Sequence, residues 1–189
     1  MGETNTVRVS ALDGHYLPGH YGIEAQGVTI TEVRELVLWQ LAVWPDTVQS
    51  AFAVAGSPTG LSNMPANCRA VSNGSESILR IEPLKFWVHG ATLETPDAGQ
   101  AVVLDISHSR TQLRVSGPDA CKLLNGYLPL DLREHAFPVG SVASSAFHHV
   151  GVTLWRSELG YELFLPRGFA LSLWELLQES ALQYGLTVE

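Results

Sequence analysis

The chain has 189 residues, 46 % hydrophobic and 16 % charged, with a formal net charge of −8 at pH 7. That length holds one sizeable core, or two small lobes sharing one. Eleven scattered Lys and Arg against nineteen Asp and Glu would repel a phosphate backbone or an anionic lipid surface, which excludes nucleic acid and membrane as partners. The charged fraction is low against the roughly 25 % of ordinary soluble domains. Either a partner covers part of the surface, or the protein is simply compact and neutral. Cys68 and Cys121 form no CxxC pair and no disulfide framework. No apolar leader opens the chain and no stretch reaches about 18 apolar residues. These features read as a reducing, cytoplasmic chain.

Residues 1–27 are rich in Gly, His, Tyr and Pro and show no period. They read as an extended arm ordered only against something else, or as a disordered tail. The remainder, 28–189, reads as one domain. Residues 27–33 alternate and are β-branched, and 36–44 are apolar almost throughout, so both read as strands. Pro45 and Asp46 suit a helix start. Val48, Ala51, Phe52 and Ala55 share one helical face, and Gly56 is expected to end it. A polar, turn-rich stretch follows to residue 77. Residues 77–90 are strand-like again, with Pro83 at an edge, a bulge or a break between two short strands. Residues 91–100 read as a linker.

The second half repeats this grammar. Residues 100–107 and 111–117 read as strands, with Leu113 and Val115 on one face. Gly117-Pro118-Asp119 opens a short helix, Ser116 and Asp119 stand at capping-box-like spacing, and Asn125-Gly126 suits a left-handed stop. Residues 150–157 and 160–166 form a hairpin. The last helix, about 168–184, carries Phe169, Leu173, Leu176 and Leu177 on one stripe with Trp174 beside it, and Gly185 closes it. The predicted fold is α+β, with mainly antiparallel sheets in two ββαββ-like halves plus a C-terminal helix.

Motifs for chemistry are sparse. There is no HExxH, HxH, CxxC, GxGxxG, P-loop or GxSxG. On a strand the adjacent His148 and His149 would face opposite sides and could not share a metal. His108 is either a general base beside Asp105 or a turn residue between strands. Each of the five Trp reads as core or as an interface anchor. No catalytic, cofactor-binding or metal residue is assigned.

Three stretches carry a family resemblance. Residues 104–125, LDISHSRTQLRVSGPDACKLLN, resemble the signature of the aminomethyltransferase (glycine-cleavage T-protein) superfamily at Asp105, Ser107, Leu113, Val115, Gly117, Asp119, Ala120 and Leu124. Residues 128–142 and 161–177 resemble the sarcosine oxidase gamma subunit family, through Pro129 to Leu132, Phe137 to Gly140 and Pro166 to Glu175. Residues 28–36, VTITEVREL, fit that family's beginning. The resemblance spans about residues 28–180.

It implies an aminomethyltransferase folate-binding-domain fold. It also implies a non-catalytic gamma subunit packed on an alpha-like subunit of a heterotetrameric (alpha, beta, gamma, delta) amine oxidase. FAD, FMN, NAD and tetrahydrofolate would then sit in partner subunits, with none in this chain. The alternative is a stand-alone folate-dependent aminomethyltransferase-like or folate-binding protein. The chain is about half the length of a full aminomethyltransferase. Residues 145–156, SAFHHVGVTLWR, hold no Asp or Glu where the superfamily has an acidic pair.

Overall fold

A computed structural model describes residues 9–189. Its strands are β1 (Gly19–Tyr21), β2 (Val28–Val33), β3 (Leu38–Val43), β4 (Ala70–Ser72), β5 (Ser77–Glu82), β6 (Lys85–His89), β7 (Ala101–Asp105), β8 (Arg110–Ser116), β9 (Val142–Phe147), β10 (Val150–Ser157), β11 (Gly160–Pro166) and β12 (Leu186–Val188). Its helices are α1 (Val48–Thr59), α2 (Ala120–Asn125) and α3 (Ala170–Ala181). Sheet A has the order β1-β12-β2-β8-β11-β10-β9 and sheet B the order β4-β5-β6-β3-β7. Every pairing is antiparallel except β2 with β12. This is the mixed α+β, mainly antiparallel fold read from the sequence.

The repeated grammar has a structural basis. The run ββαβββ occurs as β2-β3-α1-β4-β5-β6 and again as β7-β8-α2-β9-β10-β11. The two runs exchange their first strands. The order β4-β5-β6-β3-β7 in sheet B mirrors β9-β10-β11-β8-β2 in sheet A. Each half therefore completes the other's sheet, and neither could be cut out as a closed lobe.

Alternation decides the layers. Leu113 and Val115 of β8, with Leu163 and Leu165 of β11, face α2, α3 and the 9–27 segment in the largest core. Leu41 and Val43 of β3 pack with Ala51, Phe52 and Ala55 of α1. Leu38, Trp87, Trp155 and Phe164 fill the space between the sheets.

Several local expectations are corrected. The arm is not ordered only against another molecule: Leu12 is fully buried, Tyr16 is 8 % exposed, and both belong to the largest core. The Tyr16 hydroxyl accepts from Glu32 N at 2.8 Å and shares its single proton between the Ile30 and Glu189 carbonyls. Beyond it, β1 pairs with β12. A segment without period can still carry two well-spaced anchors, and periodicity does not register them. Helix α1 runs past Gly56 and stops at Gly60, which takes the left-handed φ of 67°. Pro58 lies inside its last turn. Gly126 has φ −69°, so it is no left-handed stop. Asn125 Oδ1 instead accepts from Leu132 N at 3.1 Å. The Asp119 carboxylate pairs with Lys122 at 2.5 Å and caps nothing. Phe169 is 54 % exposed, whereas Trp174 is wholly buried at the centre of the α3 face.

Candidate functional site

The sheets pack unevenly and leave a cleft of about 550 Å³ between them. Register builds its floor. Glu162 of β11 lies opposite Arg114 of β8 and Trp155 of β10. Both faces of β11 are covered, so Glu162 has no exposed surface. A buried carboxylate must be paired and hydrogen-bonded. One Glu162 oxygen accepts from Arg114 Nε at 2.6 Å and from Ser157 Oγ at 2.8 Å, and the other accepts from Gln112 Nε2 at 2.8 Å.

The network continues to His89 of β6, so it joins the two sheets. Because Gln112 donates to Glu162, its Oε1 is left to accept. His89 Nε2, 3.0 Å away, therefore carries the proton and Nδ1 carries a lone pair. That Nδ1 is buried without a partner. Burial lowers the His89 pKa from its ordinary value, against the smaller opposing effect of the Gln112 hydrogen bond and the Glu162 charge. The Trp155 and Phe164 rings pack around the imidazole. The rim is formed by the Asn73-Gly74-Ser75 turn, Val139 and Leu159.

This arrangement fixes the two sheets relative to each other and offers a recess with polar groups held in place. Its carboxylate is already occupied by three donors, so it is poorly placed to act as a base. Among the described residues no group of three His, Cys, Asp or Glu could hold a metal ion.

A pH dependence follows. Unfolded His89 gains a proton near its ordinary pKa of about 6.5, and the folded ring resists it. The unfolded state binds more protons across that window, so stability is lost as pH falls below about 6.5 toward the folded value. Thermal unfolding midpoints measured from pH 8 to pH 5 should drop less for His89→Gln than for the wild type. Equal slopes would count against this account.

The residues singled out in the sequence fare differently. His108 is exposed in a 3-10 turn, Ser107–Ser109, between β7 and β8. No hydrogen bond links it to Asp105, whose Oδ1 accepts from Ser107 N at 2.9 Å. Ser107 is buried, and its hydroxyl accepts from Leu38 N at 2.9 Å. The Asp105-x-Ser107 pattern thus locks the point where the chain crosses from sheet B to sheet A. Gly117 has φ 102°, and a Cβ there would stand 2.5 Å from Gly27 O. Asp119 N donates to Gly27 O at 2.9 Å, which seats α2 on the start of β2. His148 and His149 occupy the β9–β10 turn, not a strand, and His148 takes φ 53°. Trp87, Trp155 and Trp174 are buried, Trp39 is partly buried and Trp44 is 48 % exposed.

The Gln112, Arg114, Glu162 and His89 set was missed. A signal existed: Gln112 and Arg114 alternate with Leu113 and Val115, and Glu162 is the lone charge in an otherwise apolar GYELFLP.

The architecture of two strand-exchanged repeats is that of an aminomethyltransferase-type domain. Its fold matches glycine cleavage system aminomethyltransferase T from Bartonella henselae with a TM-score of 0.60 at 13 % identity, covering 87 % of this chain and 48 % of that one. The GCVT N-terminal domain family matches residues 83–188, more than half of the sequence, and the chain belongs to it. A chain of heterotetrameric sarcosine oxidase from Corynebacterium sp. U-96, in complex with pyrrole 2-carboxylate, matches with a TM-score of 0.73 at 22 % identity, covering 87 % of this chain and 88 % of that one. Sarcosine oxidase subunit gamma from Arthrobacter sp is 25 % identical over 155 residues, 78 % of this chain and 76 % of the relative. The resemblance read from residues 104–125, 128–142 and 161–177 is thereby borne out.

Proposed function

We propose that this chain is a structural, gamma-type subunit of a heterotetrameric sarcosine oxidase-type complex, with no catalytic, cofactor-binding or metal residue of its own. One observation carries this reading. The chain matches the sarcosine oxidase chain over nearly the whole of both, while it spans only about half of the aminomethyltransferase. The similarity to a gamma subunit over about three quarters of each chain points the same way. In this reading the partner is an alpha-like subunit. FAD, FMN, NAD and tetrahydrofolate sit in the partner subunits, and the complex demethylates sarcosine or a related N-methyl amino acid in the cytoplasm. No helix among the described residues is long and apolar enough to cross a membrane. The occupied Glu162 supports a scaffold role for the cleft floor.

The test is reconstitution. The isolated chain should be colourless after gel filtration and should not oxidise sarcosine. Co-expressed with the alpha-, beta- and delta-type subunits of the same organism, it should co-purify in a fixed ratio. Flavin absorbance retained by the isolated chain, or failure to join the complex, would overturn the proposal.

A further inference from the structure

The strand-exchanged repeat leaves the outer side of one exchanged strand bare. In sheet A, the exchanged strand β2 is covered on its outer side by β12 in parallel, and β12 by β1. Its counterpart in sheet B, β7, pairs with β3 and then ends the sheet. The chain thus covers one of two equivalent edges with its own segments and leaves the other open.

An open edge presents unpaired N–H and C=O groups, and proteins blunt such edges with short strands, Lys, Pro or a bulge. Two of the other three edges are blunted by their length. β1 and β4 have three residues each. β9 is tied to the neighbouring segment at its start, where Val142 N donates to Cys68 O at 2.9 Å, and its exposed positions are the small Ser144 and Ala146, so it offers no apolar stripe. β7 has five residues, AVVLD, in continuous register, and carries no Lys or Pro. Val102 and Leu104 share one face and are 52 % and 56 % exposed. Trp44, 48 % exposed, is held by Ala98 O at 3.2 Å just ahead of the strand.

We infer that β7 is a docking edge along which a partner subunit lays an extended segment, apolar at alternate positions and flanked by Lys or Arg. This inference rests on the subunit reading and names the surface that reading needs. Backbone hydrogen bonds would give such an addition its affinity, and Val102 and Leu104 its register.

Charge selects the occupant. Asp46 and Asp97 flank the Ala101 end and Asp105 closes the other. All three are exposed, and among the described residues none appears in an ion pair. A second copy paired antiparallel about Val103 would bring Asp105 of one chain against Asp46 and Asp97 of the other, at both ends. Like charges juxtaposed in this way disfavour self-pairing, and a segment with basic flanks is complementary.

The experiment compares the wild-type chain, Val102→Lys/Leu104→Lys and the control Phe169→Lys, each co-expressed with the alpha-, beta- and delta-type subunits of the same organism. The replaced side chains are exposed, and the unfolding midpoint checks that each variant folds. The double variant should lose at least tenfold in co-purified partner, and the control should match the wild type. Hydrogen exchange on the wild-type complex needs no variant: amides 101–105 should slow at least tenfold relative to the free chain.

If the wild type does not assemble, the subunit reading fails and takes this inference with it. If wild type and double variant assemble equally, or amides 101–105 exchange alike free and bound, the inference alone is overturned. A free-chain dimer that Val102→Lys/Leu104→Lys dissociates would assign the edge to a second copy and also overturn it.

Discussion

Removing residues 1–26 is expected to leave a chain that no longer folds stably by itself. The segment's described part supplies two side chains to the largest core. Leu12 is fully buried, and the Tyr16 ring lies 5.1 Å from that of Trp174, which is also fully buried. Emptying a buried Leu site costs about 2–5 kcal/mol and a large aromatic site about 3–5 kcal/mol. The two sites share a core, so the losses need not add. Even about 5 kcal/mol rivals the whole stability of a marginal domain, roughly 5–15 kcal/mol.

Polar losses accompany these. Glu32 N–H, Ile30 C=O and Glu189 C=O would all lose the Tyr16 hydroxyl. Strand β12 would lose β1 and become a short exposed edge. Urea unfolding followed by circular dichroism is the measurement. A truncated chain with the wild-type midpoint would show that the segment adds nothing. Tyr16→Phe isolates the hydroxyl: it should cost about 1–3 kcal/mol, the penalty of an unsatisfied buried donor.

The arm also shows where sequence reading stops. Strands β2, β3, β5 to β8, β10 and β11 were legible because apolar alternation and β-branched runs report burial on one or two faces. Helix α3 was legible from its 3.6-residue stripe. Strands β1, β4 and β12 have three residues each, too short for a period to form. Strand β9, VASSAF, is an edge strand whose middle is Ala and Ser, with no run of large or β-branched residues to mark it. Helix ends misled for a related reason. Gly56 and Gly126 look like stops, but a glycine ends a helix only where the chain must take a left-handed turn. That need falls at Gly60 and not at Gly126.

The exchange of first strands was equally hidden, since it depends on which sheet a strand joins and not on its composition. The cleft floor was half legible. Its polar residues stand at the inward positions of β8 and β11, but only register shows that Gln112, Arg114 and Glu162 meet. Strand β10 holds no Asp or Glu. The carboxylate in the structure sits on the strand beside it, Glu162 opposite Trp155.

Glu162→Ala should be the most damaging single substitution in the polar interior, at about 3–5 kcal/mol, the cost of removing one partner from a buried pair. Glu162 is 0 % exposed and meets three donors, so its loss strands Arg114 Nε, Ser157 Oγ and Gln112 Nε2 together. Glu162→Gln separates charge from shape. Its amide keeps one acceptor for Arg114 but turns an N–H toward the Gln112 amide, so one donor still faces another. A loss of about 1–3 kcal/mol is expected.

Arg114→Ala should approach the cost of Glu162→Ala, because it leaves the carboxylate buried with only neutral donors. The double variant should cost clearly less than the sum, since each single change already breaks the pair. Chemical denaturation of the four chains measures this coupling. Additive losses would mean that the 2.6 Å contact contributes no coupling of its own. Losses that add between Glu162→Ala and Gln112→Ala would likewise detach His89 from the network. A non-additive result at both pairs makes Glu162 the residue that joins β8, β10 and, through Gln112 and His89, sheet B.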